Sequence, residues 1–240
     1  MEIQYAYCTF SGDRKYNEDS VKAVETEKGY CFLVADGLGG HGQGEVASSL
    51  VCDTAAEFFE SADVEDIYGI FDIAQEKLLL KQEQENVTDA MKTTLNVVTV
   101  ASNTIRWGHI GDTRTYYFKK NKILSYTKDH SVPQMMVAMG EIKEKDIRHH
   151  EDRNRLLRVM GTKWNKPQYT IEAPIKVEKK QALLMCTDGF WEFIEEKEMA
   201  KMLKKSKSPK EWLDAMAEHV KKNGEGSDMD NYTALAVWIN

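Results

Sequence analysis

The chain of 240 residues carries 39 acidic and 32 basic side chains, a formal charge of −7, and its length suits one large domain with a sizeable core. The acid excess and the absence of any basic block exclude the electrostatic footprint of a nucleic-acid-binding protein. No apolar run reaches the length of a membrane span, and residues 1–20 lack the apolar core of a signal peptide, so a cytoplasmic protein without a membrane partner is expected.

In chain order, a first hairpin follows "RKYNEDS", and residues 30–35 (YCFLVA) form a short continuous apolar run, the pattern of a strand covered on both faces. Residues 45–60 place Val46, Leu50, Val51, Ala55, Phe58 and Phe59 at helical spacing. A second helix is expected over 64–85, with Ile67, Ile70, Phe71, Ala74 and Leu78 on one stripe. The period then changes: 94–102, 104–110, 113–119 and 122–127 are β-rich and closely spaced, which predicts antiparallel hairpins.

Residues 131–160 turn polar and helical, ending in "RHHEDRNRLLRVMG". Strands return at 168–173 and 181–187, a helix carries Trp212, Ala215, Met216 and His219, and 232–239 closes as a strand. The strands are apolar on both faces and the long helices come in pairs, which predicts two packed sheets with helices outside them. With no repeat, low-complexity tract or linker, residues 1–240 read as a single domain. The four cysteines, Cys8, Cys31, Cys52 and Cys186, are widely spaced without a CxxC pair, so neither disulfides nor a zinc site are expected.

The acids fall at the ends of these strands. Asp36 ends YCFLVA and is followed by "GLGGHGQG", five glycines among eight residues. Neither phosphate-loop pattern fits that stretch, which lacks both a Gly-Lys-Ser/Thr ending and GxGxxG opening a helix. Asp188 ends ALLMCT, Asp112 lies between two strands in "HIGDTR", Asp230 precedes the last strand, and Glu18 and Asp19 precede the first hairpin. Each alone is a common turn or surface acid. Together at one rim they would repel one another unless cations sat among them. Oxygen donors without cysteine point to Mg²⁺ or Mn²⁺, and glycine after Asp36 lets a main-chain carbonyl come close enough to join the donors.

These residues sit in eight stretches that occur in order: "SGDRKYNEDS", "VADGLGGHGQGEVAS", "KTTL", "WGHIGDTRTYYF", "YTKDHS", "RLLRVMGT", "LLMCTDGFWE" and "DMDNYTALAV". In them the chain resembles the metal-dependent serine/threonine protein phosphatases of type 2C, in their short bacterial form, from residue 11 to 237. The resemblance implies an α+β fold, a four-layer α-β-β-α sandwich of two antiparallel sheets flanked by helix pairs, with a dimetal site at one rim. It implies that Asp36 bridges two ions, that Gly37 supplies a carbonyl, that Glu18 holds the second ion, and that Asp188 and Asp230 hold the first. Asp19 corresponds to an acid that orients metal-bound water, Arg14 to the arginine on the substrate phosphate, and Asp112, with Asp188, to a third and weaker metal site. Lys92 stands in "KTTL" where glycine is usual and Thr113 in "GDTR" where serine is usual. Residues 131–160 correspond to the family's flap but match it only loosely, so substrate choice transfers least.

The implied reaction is hydrolysis of phosphoserine and phosphothreonine by a hydroxide shared between two metal ions, with Arg14 gripping two phosphate oxygens. His41 is the candidate proton donor to the leaving oxygen, the alternative being a loop histidine that only hydrogen-bonds the glycine turn. His109 and His130 read as structural, and His149 and His150 are given no task. Expected partners are phosphorylated proteins and a cognate serine/threonine kinase, with the phosphatase itself a monomer. Two other readings remain at this point: a pseudo-phosphatase acting as a binding module, against which stands the full set of acids and the arginine, and a dimetal phosphodiesterase or nuclease, against which stands the lack of a basic, aromatic-lined groove.

Overall fold

The central strands obey the two-residue period so strictly that each covers two different cores. In the third strand Cys31, Leu33 and Ala35 point to one side and Phe32 and Val34 to the other, and all five are buried. The computed structural model describes residues 2–39, 43–61, 66–87 and 90–240. Its strands are β1 (Ile3–Phe10), β2 (Asp19–Thr26), β3 (Gly29–Asp36), β4 (Leu95–Ala101), β5 (Thr104–Ile110), β6 (Arg114–Lys119), β7 (Lys122–Tyr126), β8 (Thr170–Ile171), β9 (Ile175–Lys176), β10 (Gln181–Cys186) and β11 (Tyr232–Ile239). The helices are α1 (Gly44–Ser61), α2 (Ile67–Glu85), α3 (Val132–Met139), α4 (Asp188–Trp191), α5 (Glu196–Lys205) and α6 (Pro209–Gly224), with a 3₁₀ turn at Glu144–His149.

Two antiparallel sheets form the centre. One runs β1-β11-β10-β6-β7 and the other β2-β3-β4-β5-β8, with β9 also on β5. Between them lies a core of Phe32, Val98, Trp107, Leu183, Leu235 and their neighbours. On the outer face of the second sheet α1 and α2 bury Val51, Phe59, Ile70 and Phe71; on the outer face of the first, α4, α5 and α6 bury Trp191, Met199, Trp212 and Met216. The architecture is the four-layer α-β-β-α sandwich expected. Small residues on the helix-facing side of the first sheet, Ala182, Cys186, Ala234 and Ala236, leave room for the two tryptophans. No described helix is long and apolar enough to cross a membrane.

Two expectations need correction. Residues 131–160 are helical only over α3 and the 3₁₀ turn. Gly140, with φ 78°, ends α3 in the left-handed region, and the stretch beyond His150 spends its backbone groups on other segments. Val132 N–H donates to Arg155 C=O (2.9 Å), Leu157 N–H to His130 C=O (2.7 Å) and Met160 N–H to Thr93 C=O (2.8 Å). The strand expected at 168–173 is instead split into the two short pairings of β8 and β9 on β5. Helix α5, whose polar faces dominate its sequence, is an element the apolar spacing did not reveal.

Candidate metal centre

The register of β2 and β3 places Asp19 directly opposite Asp36 at the open end of their hairpin. Glu18 and Gly37 lie one residue further out, and Gly37 N–H donates to Glu18 C=O (3.1 Å). In the other sheet β10 and β11 run antiparallel, and Thr187 N–H donates to Thr233 C=O (3.1 Å), so Asp188 leaves one strand where Asp230 enters the next. Asp112 occupies the corner between β5 and β6, where the chain passes from one sheet to the other. Five acids, Glu18, Asp36, Asp112, Asp188 and Asp230, thus come from both sheets to line a single cleft of about 890 Å³, with Gly37 in its wall. Asp19 lies behind them, its Oδ2 accepting from Thr187 Oγ1 (3.0 Å) while Oδ1 is buried without a partner.

The glycines have a steric cause. A Cβ on Gly37 would lie 2.6 Å from the Glu18 carbonyl oxygen, and one on Gly39 would overlap the Glu18 carboxylate. The bare backbone after Asp36 exists so that the turn can close over Glu18. Two threonines of "KTTL" then fix Asp36. Thr94 Oγ1 accepts from Asp36 N–H (2.8 Å), while Thr93 Oγ1 (2.7 Å) and Thr94 N–H (2.9 Å) donate to its carbonyl. Thr113 pairs its hydroxyl with that of Thr94 (2.7 Å), which ties the Asp112 corner to the same support.

Burial, followed by mutual repulsion, dominates the electrostatics. Loss of solvent raises the carboxyl groups of Asp36 and Asp112 well above the ordinary carboxylate range, with Asp188 the strongest charged contributor to both. Burial and Asp230 raise Asp188 in the same way. Glu18 is raised by burial and by Glu45, and Asp19 chiefly by burial. Asp19, Asp36, Asp112 and Asp188 have no ion pair to lysine or arginine among the described residues. Among those residues no three His, Cys, Asp or Glu side chains are gathered tightly enough to surround one ion. Asp230 accounts for part of this, because its two oxygens accept from Arg14 Nε (3.1 Å) and Nη2 (3.3 Å). The donor set nonetheless fits hard cations: oxygen donors only, with Asp36, Asp112 and Asp188 shielded from solvent and unpaired by basic side chains among the described residues, and with an orphaned Asp19 oxygen behind them.

The residues singled out in the sequence are thereby placed, with one exception. Arg14 lies at the cleft and also donates to Asp228 (3.2 Å). His41 falls outside the described residues. His109 and His130 stack on each other with ring centroids 4.5 Å apart, away from the acids, and His130 Nδ1 accepts from Gly111 N–H (3.3 Å). His149 borders a separate cavity beside α4, and His150 Nδ1 accepts from Asp152 N–H (3.1 Å). Leu156, Leu157 and Val159 of the segment 131–160 line the cleft itself.

Sequence reasoning passed over three supporting residues. Asn231 accepts from Glu18 N–H (2.7 Å) and donates to the carbonyls of Ser11 and Tyr16 (2.9 Å each), latching the loop that carries Arg14 and Glu18. Trp191 Nε1 donates to the Asp112 carbonyl (3.0 Å). The Arg114 guanidinium lies 3.5 Å from the centroid of that indole ring and grips Asp129 with two hydrogen bonds of 2.8 and 2.7 Å. Their one signal was position: each is a polar or aromatic residue within three places of a site acid.

A sequence profile described as Protein phosphatase 2C matches residues 12–238. The serine/threonine phosphatase stp of Listeria welshimeri is 30% identical, the alignment covering 95% of this chain and 92% of that protein. The fold superposes on the serine/threonine phosphatase Stp1 of Staphylococcus aureus with a TM-score of 0.89 at 23% identity, over 100% of this chain and 96% of that one. It also superposes on the catalytic domain of the serine/threonine protein phosphatase PstP in complex with 2 manganese ions, at TM-score 0.82 and 25% identity, covering 99% and 98% of the two chains.

Proposed function

The chain belongs to the protein phosphatase 2C family and is a serine/threonine phosphatase, and from that premise we propose that it hydrolyses phosphoserine and phosphothreonine in proteins with two Mn²⁺ or Mg²⁺ ions held at the cleft. The observation that carries this reading is the convergence of Glu18, Asp36, Asp112, Asp188 and Asp230 from two sheets onto one cleft. Asp36, buried and facing the charges of Asp188, Asp19, Asp112 and Asp230, would be the residue shared between two ions, with the Gly37 carbonyl beside it. Glu18 completes one site; Asp188 and Asp230 complete the other. Asp112 with Asp188 offers a third, weaker position. Ions so held supply charge neutralisation for the phosphate and a shared water of lowered pKa.

The chain's own groups supply the rest. Asp19, oriented by Thr187, faces the ring of acids from behind and can hold a proton or accept one from water. Arg14 is half exposed at the cleft mouth. Its planar fork, which spans two carboxylate oxygens of Asp230, has the geometry to span two phosphate oxygens instead. Arg14 engaged by a substrate phosphate would leave Asp230 free to hold an ion. His41, five residues after Asp36 in the glycine-rich stretch of the sequence, is the proton donor to the departing serine or threonine oxygen. Residues 131–160 serve as a flap over the cleft, and a serine/threonine kinase supplies the phosphorylated substrates. Turnover of phosphothreonine peptides and p-nitrophenyl phosphate with Mn²⁺, with Mg²⁺ and in EDTA tests the reading. Activity is expected with either ion and none in EDTA, and full activity in EDTA after dialysis overturns it.

A further inference from the structure

The catalytic cleft does not end at its acids. Past Leu157, Val159 and Thr162, which line both spaces, it opens into an annex of about 520 Å³. That volume lies within the range of clefts that hold ligands. The annex has the opposite charge to the metal centre. Arg158, Lys163 and Lys166 line it, all three exposed, and none of its lining residues is an acid. In a chain of net charge −7, such a basic concavity stands against the average of the surface. None of the three has an ion pair among the described residues. Trp164, half-buried and packed edge-on against Tyr169 with centroids 6.4 Å apart, gives the annex a firm wall.

The annex is also fixed in position relative to the catalytic acids. Thr93, whose hydroxyl holds the Asp36 carbonyl, exchanges backbone hydrogen bonds with Met160, three residues before Lys163. A Cβ on Gly161, at φ 83°, would run into the Met91 carbonyl, so the two segments touch backbone to backbone. This contact sets Lys92, which lines the catalytic cleft, beside the start of the annex. A basic path thus leads from the metal centre outward.

We propose that this annex receives acidic side chains flanking the phosphorylated residue of the protein substrate. The inference rests on the protein-phosphatase reading above and adds a substrate class to it: phosphoserine or phosphothreonine set among aspartate and glutamate. A phosphate seated at the acids points its polypeptide along the cleft, and a carboxylate a few residues away meets Arg158, Lys163 and Lys166 where the cleft continues past Leu157, Val159 and Thr162. Exposed charge pairs are individually weak and salt-sensitive, so the annex biases choice among substrates and leaves the chemical step to the acids.

Two phosphothreonine peptides, identical except that flanking Asp and Glu in one are Asn and Gln in the other, test this with Mn²⁺ and p-nitrophenyl phosphate in parallel. The wild-type kcat/KM is expected to favour the acidic peptide by ~5-fold at low salt, fading at high salt. The ratio should fall to about one in K163A/K166A and invert in K163E/K166E when a basic-flanked peptide is added. Because each result is a ratio of two peptides, a general loss of activity cancels. No acidic preference in the wild type, or a preference that survives in K163A/K166A, overturns the annex. Turnover of p-nitrophenyl phosphate with neither peptide cleaved instead overturns the protein-phosphatase reading beneath it.

Discussion

Asp19 and Asp36 are register partners, directly opposed across β2 and β3. Like charges in that relationship destabilise a sheet, yet here they stand at the head of a ring of further acids. The chain keeps an electrostatic conflict at this rim, which protons or bound cations would relieve.

The conflict has a pH signature. Asp36, Asp112 and Asp188 hold their protons to higher pH in the folded chain than in the unfolded one, because they are buried near one another. Above the ordinary carboxylate value of ~3.9 the folded state therefore binds more protons than the unfolded state, and stability falls as pH rises. In metal-free protein the melting temperature is expected to drop from pH 5 to pH 8. Added Mn²⁺ should raise it most at the upper end, where protons no longer relieve the repulsion. Differential scanning calorimetry at both pH values with EDTA or Mn²⁺ decides this, and a metal-free melting temperature that climbs with pH contradicts it.

Asp36 and Asp112 should separate in metal binding. Asp36→Ala is expected to abolish turnover, by at least ~10³-fold, since on the proposed reading one carboxylate serves both core ions. Asp112→Ala should keep the two tight sites and lower kcat. Calorimetric titration with Mn²⁺ reads the difference, and loss of the tight sites in the Asp112 variant would show that the division is wrong.

If Arg14 grips the phosphate as proposed, replacing it by alanine removes a contact made before the chemical step, so KM should rise about tenfold with a smaller fall in kcat. Arg14→Lys should not restore KM, because an ammonium is a point charge and cannot span two oxygens. Steady-state kinetics on a phosphothreonine peptide measures both.

His41→Ala should act on the leaving group. It is expected to lower kcat on phosphothreonine peptides ~10²-fold while hardly slowing p-nitrophenyl phosphate, whose phenolate departs without a proton. Equal slowing of both substrates would reduce His41 to a structural part of the glycine turn.

Asn231→Ala breaks three hydrogen bonds that hold the loop bearing Arg14 and Glu18. Buried groups left unpaired cost about 1–3 kcal/mol, which for a chain of this size is a drop of roughly 3–10 °C in melting temperature. Mn²⁺ affinity should fall with it, since Glu18 loses its anchor. An unchanged melting temperature would mean that water replaces Asn231 without loss.

The sequence disclosed the layers and the acids for related reasons. Residues such as Phe32–Ala35 and Leu183–Met185 are apolar on both faces because both faces are covered, and a strand's last residue must reach its rim. An acid at each of several strand ends was therefore visible as a ring before any coordinates. What stayed hidden is what depends on pairing across long separations. Nothing local marks Asn231 as the partner of Glu18, 213 residues earlier, or Thr93 as the backbone partner of Met160. The polar segment 131–160 misled because its spacing suits a helix, while its backbone is claimed by distant strands and turns. Lys163 and Lys166 look like ordinary solvated surface until the cleft is seen to run past them.

The position of β11 between β1 and β10 also sets an order of events during synthesis. Until Tyr232–Ile239 has left the ribosome, the first strand of the chain has no neighbour in its own sheet, and Asp230 and Asn231 have only just been made. The ring of acids therefore closes only after β11 is available to join β1 to β10. A chain lacking these residues keeps Glu18, Asp36, Asp112 and Asp188 but loses Asp230 and the Asn231 latch on Glu18, so one donor and one anchor of the cleft are missing together.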